Sequence, residues 1–76
     1  MQVLLILNMA IREIFARNLR QRRKALGMSQ EELAHRADLD RTYISSIEHC
    51  KYGVTIDVLE RLANELNVDP AELLGN

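Results

Sequence analysis

Helix punctuation constrains this chain more than any other feature of its sequence. Ser29, Asp40, Thr55 and Asp69 are all residue types suited to capping a helix N-terminus, and each stands just before a stretch with helical apolar spacing. Ser29-Gln30-Glu31-Glu32 has the form of a capping box, in which the serine hydroxyl and the glutamate three residues on each bond the other's backbone N–H. Asp69-Pro70-Ala71-Glu72 repeats that form with proline in the first turn. Ahead of them Ile11, Phe15, Leu19 and Leu26, widened by Ile14, form the apolar side of a helix over about residues 10–26, and Gly27 supplies its left-handed stop. No alternating strand pattern or internal repeat competes, so the expected fold class is all-α with five helices.

The second and third of these helices are only about two turns long, too short to be stable without tertiary packing. Leu33, Ala34 and Ala37 are predicted to bury one side of helix 2, and Ile44 and Ile47 one side of helix 3. Leu59, Leu62, Ala63 and Leu66 form the inward stripe expected of helix 4. With 76 residues there is room for a single core, and with Phe15, Tyr43 and Tyr52 as the only aromatics that core must be aliphatic. The expected division is an apolar extension over residues 1–9 and one domain over 10–76. Residues 3–7 (VLLIL) are too short to span a membrane and lack the flanks of a signal peptide. The lone Cys50 forms no internal disulfide, and a cytoplasmic location is expected.

The net charge of −1 conceals an asymmetry. Residues 1–30 carry Arg12, Arg17, Arg20, Arg22, Arg23 and Lys24 against Glu13 alone, whereas residues 31–76 carry four basic and ten acidic side chains. A local basic patch, not the total, decides whether a surface attracts phosphate, although such a run also suits a merely solvated helix face. The polar surface of helix 3 consists of Arg41, Thr42, Tyr43, Ser45, Ser46 and His49, rich in hydrogen-bonding groups and free of acids until Glu48. A helix with such a face fits the DNA major groove, where base edges present distinct donor and acceptor patterns.

At this point a resemblance becomes specific. Ser29-Gln30-Glu31-Glu32-Leu33-Ala34, followed by Ala37-Asp38-Leu39-Asp40-Arg41-Thr42-Tyr43-Ile44-Ser45-Ser46-Ile47-Glu48, resembles the Cro and lambda-repressor-like helix-turn-helix family, closest to the small controller proteins of restriction–modification systems. The stretch from Leu59 to Val68 is similar to that family's fourth helix and following turn, and the match runs over about residues 11–74. Asp38 and Cys50 stand where the family commonly has glycine, and residues 1–8 have no counterpart.

The resemblance implies a sequence-specific, DNA-binding transcription regulator. It implies base contacts for Arg41 and Thr42, with Ser45 and Ser46 nearby, and assigns Arg41 to guanine because its planar fork matches O6 and N7. Gln30 is expected to meet a phosphate and to brace helix 3, and Tyr43, His49 and Lys51 to contact phosphate or sugar. Blander readings stand beside these. Arg41 also suits a partner of Asp38 or Asp40, Tyr43 a ring packed on its helix, and His49 a helix C-terminal partner. The expected partners are double-stranded DNA and a second copy, meeting through Ile56, Val58, Val68 and Leu74, with residues 3–7 as an additional arm. The alternative is an antitoxin-like module that binds another protein and regulates itself through the same fold. No catalytic constellation, cofactor motif or metal-ligand spacing is present; His49 and Cys50 are too few for a metal site.

Overall fold

The computed structural model describes residues 10–75. It contains α1 (Ile11–Ala25), α2 (Gln30–Ala37), α3 (Arg41–Glu48), α4 (Ile56–Glu65) and α5 (Pro70–Leu74), with no strand among the described residues. The expected extension over residues 1–9, with its candidate arm at 3–7, lies outside the described residues, as does Asn76.

All four expected caps form. Ser29 Oγ accepts from the Glu32 amide at 3.0 Å, Asp40 Oδ1 from Thr42 at 2.7 Å, Thr55 Oγ1 from Val58 at 3.1 Å and Asp69 Oδ1 from Ala71 at 2.9 Å. The carboxylate of Glu32, however, turns to the guanidinium of Arg36 one turn ahead, at 2.6 Å, in place of closing the box on Ser29. An (i, i+4) carboxylate–guanidinium pair competes directly with the capping-box geometry.

The C-terminal ends of α1 to α4 share one device. Gly27, Asp38, Cys50 and Asn67 all take φ between 56° and 71°, the left-handed region. At each, the next amide reaches back to a carbonyl five residues earlier: Met28 to Arg23, Leu39 to Ala34, Lys51 to Ser46 and Val68 to Ala63, at 2.8–3.1 Å. This is the Schellman closure of a helix C-terminus. Cys50 therefore takes the left-handed conformation that glycine adopts most readily. Asp and Asn tolerate that region better than most residues, so Asp38 and Asn67 do so with less strain than Cys50.

The core joins Phe15 and Leu19 of α1 to Leu33, Ala34, Ala37, Ile44 and Ile47 of the central pair and to Val58, Leu62, Ala63, Leu66 and Leu73 beyond. Each fully buried Leu or Ile contributes about 1.5–3 kcal/mol, which is what holds two-turn helices in place. In and just beyond α1, three positions differ from expectation. Ile11, in the first turn of α1, overhangs the core and is 58% exposed, and Leu26, beyond the last turn, is 41% exposed. Arg23 occupies the inward row that continues from Phe15 and Leu19. In α4 the row of Val58, Leu62 and Leu66, spaced by four, faces inward, leaving Leu59 at the edge of the stripe. Val58 is thus a core residue of the monomer and is not available at the surface, contrary to its expected place in an interface. Ile56 is 82% exposed, while Val68 and Leu74 are half-buried against the core.

Candidate nucleic-acid interface

The polar surface of α3 is set by the side that the helix buries. Buried Ile44 and Ile47 turn α3 so that Arg41 and Thr42 are exposed in its first turn, with Ser45 and Ser46 half-buried one turn on. Among the described residues no ion pair joins Arg41 to Asp38 or Asp40, so the guanidinium is not tied down by either acid. Asp40 serves the backbone of α3 through Thr42 N.

At the other end of α3 a buried polar cluster fixes the helix to its neighbours. Arg23 grips Glu48 with two bonds, Nε to Oε2 at 2.6 Å and Nη2 to Oε1 at 2.9 Å, and its Nη1 donates to the Met28 carbonyl at 2.7 Å. Gln30 Nε2 donates to Glu48 Oε1 at 3.1 Å. The two charged side chains are 9% and 2% exposed. Burial pushes the Glu48 carboxyl up. The hydrogen bonds from Arg23 and Gln30, with the charges of Arg23 and Arg20, outweigh it and hold the group below the ordinary carboxylate range. The bond to Glu48 likewise raises Arg23 despite its burial. A bidentate pair of this kind specifies orientation as well as energy. One cluster therefore joins α1, the first residue of α2 and the last residue of α3, and the structure gives Gln30 its bracing role.

The remaining sites differ in how they are held. His49 Nδ1 lies 2.8 Å from the Ser45 carbonyl, an oxygen that can only accept, so that nitrogen is the donor. Tyr43 packs partly on the core with its hydroxyl 3.5 Å from the Gly53 carbonyl, and Lys51 is exposed in the following loop. The basic run of α1 divides by role. Arg23 is buried and paired, and Arg22 Nε donates to the Leu66 carbonyl at the end of α4 at 3.1 Å. Arg20 and Lys24 line a polar recess with Gln30 and His49, beside the buried pair. Nothing local in the charge run separates Arg20 and Lys24 from their basic neighbours. For the buried Arg23 the local signal is spacing: it falls four residues after Leu19 and eight after Phe15, in the apolar row.

The sequence matches the helix-turn-helix family over residues 19–73. The chain belongs to the helix-turn-helix family. As a member it is an all-helical, DNA-binding regulator of transcription, and it is similar to restriction–modification controller proteins. It is 45% identical over 65 residues to the control protein C.BamHI of Bacillus amyloliquefaciens, covering 84% of this chain and 80% of that protein. Among solved structures, the hypothetical transcription factor NHTF from Neisseria superposes with a TM-score of 0.84 at 38% identity, over 87% of this chain and 76% of that one. The restriction–modification controller protein C.AhdI from Aeromonas hydrophila superposes with a TM-score of 0.79 at 37% identity, over 82% and 94%. No helix among the described residues of this helix-turn-helix protein is long and apolar enough to cross a membrane.

Proposed function

We propose that this helix-turn-helix protein binds, as a homodimer in the cytoplasm, a two-fold-related operator, with α3 in the major groove of each half-site. The observation that carries the reading is the pairing of an exposed, acid-free first turn on α3 with a buried Arg23–Glu48–Gln30 brace that holds the helix in one orientation. Direct readout needs side chains on a rigid element, and this arrangement supplies it. Arg41 and Thr42 would reach base edges, with Ser45 and Ser46 beside them. Gln30, Tyr43, His49 and Lys51 would meet the backbone, joined by Arg20 and Lys24 from the recess next to Gln30. The likeness to proteins whose names describe control of restriction–modification supports a regulatory role of that kind.

A dimer joins two half-sites and gains affinity that one small module lacks. The surface proposed for it comprises Ile56, Val68 and Leu74, without the buried Val58. Selection of bound duplexes from a random pool, followed by titration of the selected operator over a salt series, tests the whole reading. The pool should converge on a two-fold-related sequence. The affinity should fall with salt at a log–log slope of about −0.9 per neutralised phosphate. An unconverged pool and a slope near zero would overturn it.

A further inference from the structure

Residues 38–40 form the turn that joins α2 to α3, and the turn begins on a residue of unusual conformation. Asp38 adopts φ 57° and ψ 48°, a left-handed conformation that persists in a non-glycine residue when its surroundings hold it there. Two backbone bonds close the turn, Asp38 N to His35 O at 3.2 Å and Leu39 N to Ala34 O at 2.8 Å. The carbonyls of Ala37 and Asp38 lie at the negative pole of α2, where a cation is favoured. A guanidinium from another helix meets them: Arg61 Nη1, in α4, donates to Ala37 O at 3.0 Å and lies 3.4 Å from Asp38 O.

We infer that Arg61 is a positioning residue for DNA reading, a clamp that holds the left-handed Asp38 turn and thereby fixes the angle of α3. The inference rests on the proposed reading of operator DNA by α3. Side chains cap other helix ends in the same way: Arg22 donates to Leu66 O, and Asn18 donates to Leu73 O and Gly75 O. Neither of those ends borders α3, so their loss should register in stability alone. Arg61 acts on the segment between the two helices that meet DNA. It also ties that segment to α4, whose first residue, Ile56, belongs to the proposed dimer surface.

The test compares the full chain with Arg61→Met, which keeps a long unbranched side chain but no donor, and with Arg61→Lys, which keeps the charge. Each is titrated against the selected operator and against a scrambled duplex of equal length at one salt concentration, and exchange of the Leu39 amide is followed without DNA. Arg61→Met should lower the ratio of specific to non-specific affinity by about tenfold, the scale of one hydrogen bond to a charged group. It should also speed Leu39 exchange, with Arg61→Lys in between. Asp38→Gly removes the strain that the clamp restrains, so Asp38→Gly combined with Arg61→Met should recover much of the ratio. An unchanged ratio, or an equal loss on both duplexes, with Leu39 exchange as in the unaltered chain, would overturn the clamp. If the unaltered chain does not distinguish the two duplexes, the DNA reading fails, and Leu39 exchange still decides whether Arg61 holds the turn.

Discussion

Arg23 and Glu48, twenty-five residues apart, form a buried two-bond ion pair that closes α1 against the last residue of α3. Removing one partner leaves the other charged, buried and short of hydrogen bonds, which costs about 3–5 kcal/mol. Glu48→Ala should therefore lower the thermal midpoint by more than about 10 °C in a domain of this size, as followed by circular dichroism. Replacing both residues by apolar ones of similar volume should recover much of the loss. A single replacement that shifts the midpoint by less than about 2 °C would show that the pair contributes little.

The same carboxylate sets an acid limit. Its folded pKa lies below the unfolded value, so ionised Glu48 adds stability that is fully present above the unfolded pKa. That contribution should begin to fade as pH falls through the ordinary carboxylate range, about 4.3, and be gone below the depressed folded value. Urea unfolding of the natural chain and of Glu48→Gln should differ most at neutral pH and converge in acid. A gap that widens as pH falls would contradict the assigned direction.

The local signals in this sequence were legible because they act within a turn or two of the chain. Ser29, Asp40, Thr55 and Asp69 each bond an amide two or three residues away, and the residue types alone announced them. The phase of α4 was not legible, because Val58 and Leu59 are adjacent and both apolar, and only packing against α2 and α5 selects which one turns inward. Arg23 stands within a basic run, and only its place in the row of Phe15 and Leu19 hints at burial, since its partner Glu48 lies on a different helix. The candidate site shows the same division. The polar face of α3 follows from periodicity, whereas Arg20, Lys24 and Arg61 acquire their places through contacts made across the fold.

Base reading and backbone contact should separate in mutants. Arg41→Ala should lose about 1–3 kcal/mol on the selected operator and relax the preference at one base pair in each half-site. Lys51→Ala should weaken all duplexes alike and reduce the salt slope by about one. Repeating the random-pool selection with Arg41→Ala decides the assignment: an unchanged consensus would remove Arg41 from the base-contacting set.

Self-association gives the last test, because burial separates two neighbouring residues that both read as interface candidates from sequence. Ile56 stands at the first position of α4 and is 82% exposed. It rims an apolar groove with Ile11, Phe15, Val54, Leu59 and Leu74, and Ile11 there is 58% exposed. The exposed Ile11 and Ile56 side chains in this groove belong to the contact surface proposed for the dimer. An isologous contact there places the same groove on both copies, so a charge introduced at Ile56 enters the interface twice. Val58, two residues on, belongs to the core, and a charge there must be buried within the monomer. Ile56→Asp should therefore sediment as a folded monomer with a near-unaltered far-ultraviolet spectrum, while Val58→Asp should unfold. Deletion of residues 1–8 in the same experiment tests the arm expected at residues 3–7, and monomers from that deletion alone would move the contact to the N-terminal segment. An Ile56→Asp chain that remains dimeric at micromolar concentration would exclude the α4 edge as the meeting surface.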